Sequence, residues 1–139
     1  MSKRKVPTVV NMNSVPSMSP EQSLLKHIRL RRLITRPAHG SNLLLGVGFM
    51  DPGEETNTWS VREIDDTGPD EPYYGPADET YFVFRGNLLL KWDDGELEIG
   101  PGDAVYLAAG YKYQLKNVGM EPAFFVYNLE LPRAVVELT

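Results

Sequence analysis

The chain has 139 residues, the size of one domain with one core, and its 42% hydrophobic and 24% charged content is that of an ordinary globular protein. A net charge of -5, from 14 basic and 19 acidic residues, argues against nucleic acid and anionic membranes as partners, because the long-range field repels both. The absence of Cys removes disulfides, thiolate nucleophiles and sulfur-bound metals. Apolar runs such as Leu43 to Leu45 are far too short to span a bilayer, and no apolar stretch follows the basic start Lys3-Arg4-Lys5, so the chain reads as cytoplasmic.

The first 27 residues form an arm. Val6 to Val10 is a β-prone patch able to pair with a sheet edge, and Ser19-Pro20-Glu21-Gln22 has the chemistry of a helix start, with a turn of helix expected through Lys26. Residues 28–139 read as one β-rich unit. His27 to Ile34 alternates as a strand, since Arg29, Arg31 and Arg32 interrupt any helical stripe. Further strands are expected at Asn42 to Met50, Thr58 to Ile64, Thr80 to Arg85, Asn87 to Trp92, Glu96 to Ile99, Ala104 to Leu107, Lys112 to Asn117 and Ala123 to Leu131, most of them closed by Gly, Pro or Asp. Asp94-Gly95 predicts a tight hairpin with Gly95 at positive φ. Short strands at this even spacing imply an all-β sandwich or jelly roll. The acidic loop from Asp65 to Asp78 breaks the rhythm, and a connection of that length in a compact β domain points to function.

Two stretches carry a family pattern. Asp78-Glu79-Thr80-Tyr81-Phe82-Val83-Phe84-Arg85-Gly86 resembles the end of the first cupin motif, G-x5-H-x-H-x3/4-E-x6-G, and Gly102 through Tyr113 to Asn117 resembles the second, G-x5-P-x-G-x2-H-x3-N. Gly46-Val47-Gly48-Phe49-Met50 and Trp59-Ser60-Val61 are similar to segments of ethanolamine-utilisation cupins. The resemblance to small single-domain cupins covers about residues 28 to 132 and implies a double-stranded β-helix, or jelly-roll barrel. It also implies a homodimer, and a divalent metal held at the barrel mouth by three His and one Glu. This sequence departs from the family at every histidine. The first two histidine positions hold Trp59 and Val61 when counted from Gly53, or Pro72 and Tyr74, or Tyr73 and Gly75, when counted back from Glu79. The second motif has Tyr113 for its His and Ala108 for its Pro. Of the four implied ligands Glu79 alone remains, and a phenol must lose a proton of pKa about 10 to bind a metal well.

On the strand from Glu79, alternation puts Glu79, Tyr81 and Val83 on one face and leaves Phe82 and Phe84 outward, an apolar pair suited to a dimer contact. The expected catalytic residues are Glu79, Tyr113 and Tyr73, with Tyr73 or Tyr74 closing the mouth. Trp59, Tyr74, Tyr81 and Tyr111 are expected to line the place of a small-molecule ligand. His27 and His39 lie outside both motifs, His39 before Gly40 as a turn residue, and the three arginines read as salt-bridged surface. Three functions fit. The first is a lyase or isomerase in which Glu79 and Tyr113 form an acid–base pair on a compact, oxygen-rich substrate. The second is a metal-free binding or regulatory cupin without turnover. The third is a metal enzyme with an atypical ligand set of Glu79, Tyr113 and Tyr73.

Overall fold

Period-two alternation of buried and exposed side chains organises the molecule into two antiparallel sheets. The computed structural model describes residues 6–18, 25–60, 78–108 and 111–130. Among the described residues nine strands run in chain order: β1 (Arg29–Ile34), β2 (Leu43–Met50), β3 (Trp59–Ser60), β4 (Glu79–Arg85), β5 (Leu88–Trp92), β6 (Gly95–Ile99), β7 (Ala104–Leu107), β8 (Lys112–Asn117) and β9 (Ala123–Glu130). One sheet has the order β1-β2-β9-β4-β7 and the other β3-β8-β5-β6. Chain neighbours such as β8 and β9 lie in different sheets, so the connections close the two layers over one core, a jelly-roll barrel. Among the described residues no helix is long and apolar enough to cross a membrane.

The inner faces follow from the alternation. Tyr81 and Val83 of β4, Phe125, Tyr127 and Leu129 of β9, and Leu88 and Leu90 of β5 are all buried, while Phe82 and Phe84 point out as expected. The closed end of the core is apolar and tightly filled by Val83, Leu88, Leu115, Phe125 and Met50. Gly48 belongs to this packing, since the ring of Phe125 occupies the place a side chain would need. Asn117, the last residue of the second motif, is structural. Its buried amide donates to the carbonyls of Met50 (2.9 Å) and Glu121 (3.0 Å) and accepts from the Gly119 N–H (2.9 Å), satisfying backbone groups at the ends of β2 and β8.

Several local expectations are refined. Asp93-Asp94 forms the turn between β5 and β6, and Gly95 is already paired with Trp92, without a positive φ. Val6 to Val10 is not in a strand. The arm instead docks through Met18, whose N–H donates to the Leu30 carbonyl (2.8 Å), and through Met12, whose carbonyl accepts from Arg31 (2.9 Å). A short helical turn, α1 (Arg36–His39), is capped by the Thr35 hydroxyl and ended by Gly40 at φ 65°, with His39 Nδ1 accepting from the Thr35 N–H (3.1 Å). His39 is thus the turn residue expected. The proposed helix start at Ser19 to Gln22 and the loop carrying Tyr73 and Tyr74 lie outside the described residues.

Candidate active site in the barrel mouth

Strand register assembles polar side chains next to the apolar end. In the larger sheet, Arg32 pairs with Gly46, Gly46 with Tyr127, and Tyr127 with Tyr81, so these residues form one row across four strands. The next row toward the mouth is Leu44, Leu129, Glu79 and Leu107. In the facing sheet Trp59 pairs with Tyr113 and Tyr113 with Trp92. Residues directly opposite on paired strands share a face, so a carboxyl, a guanidinium, two indoles and three phenols lie on the inner side of the barrel.

Glu79 is 8% exposed and is the site's most perturbed acid. Burial raises its pKa from the ordinary 4.5 to about 8, against the smaller downward pull of a hydrogen bond from the Trp59 indole and of the Arg32 charge. At neutral pH it is therefore mainly a neutral carboxylic acid that donates as well as accepts. Counted from Gly53, Trp59 falls at a histidine position of the family pattern, and its indole reaches the Glu79 carboxyl.

Tyr113 is 5% exposed, and its hydroxyl donates to the Ala108 carbonyl at 2.6 Å. Burial, then the neighbouring Tyr111 and Glu79, push its pKa up to about 12. It serves as a fixed phenol whose oxygen can still accept, and a donor role toward a ligand requires it to release Ala108. Tyr81 is buried, its ring 4.9 Å from that of Phe125, and burial together with Glu79, Tyr127 and Tyr113 raises its pKa well above the usual value. Tyr111 sits at the rim, 37% exposed, with its ring 6.4 Å from Tyr113. The rings of Trp59 and Tyr113 lie 6.0 Å apart.

Two members of this cluster were not among the expected site residues. Arg32 was read as surface, together with Arg29 and Arg31. The structure separates the three: Arg29 bridges Asp51 (3.1 Å) and Glu54 (3.6 Å), and Arg31 lies over the Phe49 ring (5.5 Å). Arg32 instead shares the inner face with Leu30, and its Nε and Nη1 are shielded from solvent, as is the Nε of Arg31. Tyr127 was passed over because it lies outside both motifs, although alternation from Ala123 through Phe125 marks it as inward.

The described residues do not fit the family's metal. The neighbours of Glu79 are a guanidinium, which repels a cation, an indole N–H, which cannot ligate one, and phenols whose protons are held more tightly than usual. Among the described residues no three His, Cys, Asp or Glu side chains converge as ligands. Tyr73, the third member of the atypical set, is outside them.

No curated protein matches the sequence. The family model described as "Cupin domain" matches residues 63–128. Solved structures of similar fold include a predicted oxalate decarboxylase from Thermotoga maritima, at 16% identity and TM-score 0.68, covering 90% of this chain and 100% of that one. A sugar phosphate isomerase from Silicibacter pomeroyi matches at 19% identity and TM-score 0.62, covering 90% and 76%. A protein assigned to ethanolamine utilization in Salmonella typhimurium matches at 17% identity and TM-score 0.57, covering 75% and 69%. Such identities speak to the fold. Together with the Cupin-domain match over residues 63–128, with Glu79, Gly86, Gly102 and Asn117 at their motif positions and with the closed pair of antiparallel sheets, they show that the chain has a cupin fold.

Proposed function

We propose that the protein is a small-molecule enzyme of lyase or isomerase type, acting on a compact, oxygen-rich metabolite at the barrel mouth. The observation that carries this reading is the buried Glu79, held near pKa 8 beside Trp59, Arg32 and three phenols. A carboxyl that titrates close to neutral pH can give a proton to a departing or carbonyl oxygen and, in its ionised fraction, take one from carbon. Tyr113 complements it by ordering the ligand, while Tyr81 and Tyr111 line its path. Tyr73 and Tyr74, one of which is expected to close the mouth, lie outside the described residues. That fold neighbours include a decarboxylase and an isomerase agrees with this class of chemistry without choosing a reaction.

The test is proton NMR of small hydroxy and keto acids incubated with metal-stripped protein in deuterium oxide. The expected result is loss or deuteration of a C–H next to the carbonyl, and its disappearance with Glu79→Gln. The hydrogen bond from Tyr113 to Ala108 favours a second reading, a metal-free binding cupin in which the aromatic side chains only enclose a ligand. Binding without turnover across the panel selects that reading.

We also propose that the chain forms a homodimer through the outer face of the larger sheet. Phe82 and Phe84 are 40% and 55% exposed, and the ladder Phe82–Phe84–Phe124–Phe49 runs across three strands at ring spacings of 5.0, 5.6 and 4.9 Å. Such a stripe buries itself against its own copy under a two-fold axis. Light scattering is expected to give twice the 15.6 kDa chain mass. Phe84→Lys should halve it, and a wild-type monomer refutes the proposal.

A further inference from the structure

We propose that Trp59 is a positioning residue for Glu79: an extra residue in the strand ahead of it turns its indole into the barrel, where the N–H takes the carbonyl oxygen of the acid and leaves the acidic proton on the other oxygen. The catalytic half of this inference deepens the acid–base reading of the same site and rests on it. The structural half stands on the strand register.

The chain running into β3 lies beside β8, and its register shows how the indole is aimed. Glu55 bridges Lys116, and the Thr56 N–H donates to the Leu115 carbonyl (2.9 Å) while the Thr56 hydroxyl accepts from the Leu115 N–H (3.1 Å). Continued without interruption, this pairing would set Thr58 opposite Tyr113 and send Trp59 to the outer face. Trp59 is instead the partner of Tyr113, so Asn57 and Thr58 together stand opposite Gln114 alone. This is a β-bulge, a device that re-aims a side chain. It puts Thr56 and Trp59 on the same inner face. Thr56 is 2% exposed, and the Trp59 ring lies 6.0 Å from that of Tyr113. The bulge is also stitched in place: the Gln114 amide donates to the Thr56 carbonyl (2.9 Å), and the Asn57 side chain accepts from the Lys26 N–H (2.8 Å).

From this edge strand of the smaller sheet the indole crosses to Glu79 at the start of β4 in the larger one. An indole N–H can only donate, and a neutral carboxyl accepts best at its carbonyl oxygen. The oxygen facing Trp59 is therefore the acceptor, and the O–H belongs to the other. The same bond favours release of that proton, because an N–H binds a carboxylate more strongly than an acid. Burial raises the pKa of Glu79, and the Trp59 bond pulls against it. The indole thus holds the carboxyl more tightly after the proton has left than before. That difference is what lets a fixed donor speed a step rather than merely hold a group.

The experiment compares the full-length parent chain, Glu79→Gln and Trp59→Phe by difference infrared spectroscopy at pH 6, with steady-state rates on the substrate found in the hydroxy and keto acid panel. The carboxylic C=O stretch that disappears in Glu79→Gln belongs to Glu79. In Trp59→Phe this band is expected to move to higher frequency, as a carbonyl does on losing a donor. kcat should fall about 10- to 100-fold with KM nearly unchanged, the loss of one hydrogen bond to a group that becomes charged in the step. Circular dichroism checks that the variants are folded. If Trp59→Phe is not, the indole N–H resonance of Trp59, assigned with Trp92→Phe, carries the test: it should stay in place in Glu79→Gln, which keeps a carbonyl, and move upfield in Glu79→Leu, which has none. An absent or unmoved band, an indole signal indifferent to Glu79→Leu, or undiminished kcat in folded Trp59→Phe each overturn the proposal. The two readings fail apart. A parent chain that turns nothing over removes the acid–base reading, while the band still decides whether Trp59 holds the carbonyl oxygen. Turnover with an unmoved band removes this inference alone.

Discussion

Glu79→Gln is expected to make the protein more stable at pH 8 than the parent chain and equally stable at pH 4, while abolishing turnover. The stability half follows from proton linkage. The folded-state pKa of Glu79 is raised to about 8 from the ordinary 4.5 of the unfolded chain. Between these values the folded form holds a proton that the unfolded form has released, so stability falls as pH rises. The loss begins near pH 4.5 and levels off above pH 8, where both states are ionised. At 1.36 kcal/mol per pH unit the contribution amounts to about 3 kcal/mol by pH 7, and somewhat more by pH 9. Glutamine cannot ionise and is free of it. Melting curves of the two proteins from pH 4 to pH 9 should therefore coincide at the acid end and diverge progressively above pH 5. The activity half follows from chemistry, since removing a general acid–base group costs about 10²- to 10⁴-fold. A step in which protonated Glu79 donates should run level below pH 8 and decline above it. Parallel melting curves would show that Glu79 is not held as a buried acid, and undiminished turnover would show that it does not carry the proton.

On the proposed function, a carboxyl that opposes stability is a group kept for activity rather than for folding. Much of the scaffold around it was legible in the sequence, because strand alternation and turn residues are local signals. β2, β5, β7, β8 and β9 fall within a residue or so of where Leu, Val and Phe alternate between Gly, Pro and Asp. Alternation put Glu79 and Tyr81 on one face of β4, and the family resemblance is what pointed that face inward. Arg32 was not, although Leu30 and Arg32 share a face by simple alternation, because what places them inside is the pairing of β1 with β2 and of β2 with β9, a long-range register. Its direction could have been suspected from the aliphatic residue two positions earlier. Gly95 misled for a different reason. The Asp93-Asp94 turn closes the hairpin one residue sooner, and Gly95 lies in the strand with the Trp92 ring packed against it. The resting state of Glu79 and the bond from Tyr113 to Ala108 depend on burial and on the path of the backbone after β7, which residue types alone do not specify.

The other large effect is structural and falls on Gly86, the glycine that closes the first motif. Gly86→Ala should destabilise the protein by about 2 to 5 kcal/mol, and two other glycines show how much of that belongs to packing. Gly53, Gly86 and Gly102 have φ of 82°, 86° and 87°, a left-handed region that costs a side chain about 1 to 2 kcal/mol. At Gly53 and Gly102 an added Cβ would meet nothing within 4 Å, so alanine there should lose only this backbone term. At Gly86 the added carbon would stand 2.7 Å from the Cα of Ala123 and 2.9 Å from its Cβ. Ala123 is wholly buried at the start of β9, and the register between β4 and β9 shifts at Val83 to Arg85, bringing the two backbones together just before Gly86. Neither backbone can yield without disturbing the central strand pair, so overpacking adds about 1 to 3 kcal/mol to the conformational cost. Urea unfolding of the three alanine variants should give a small, equal reduction in midpoint for Gly53→Ala and Gly102→Ala and a clearly larger one for Gly86→Ala. Equal losses at all three positions would mean that positive φ alone accounts for the glycine, and that the contact between β4 and β9 is looser than the strand register implies.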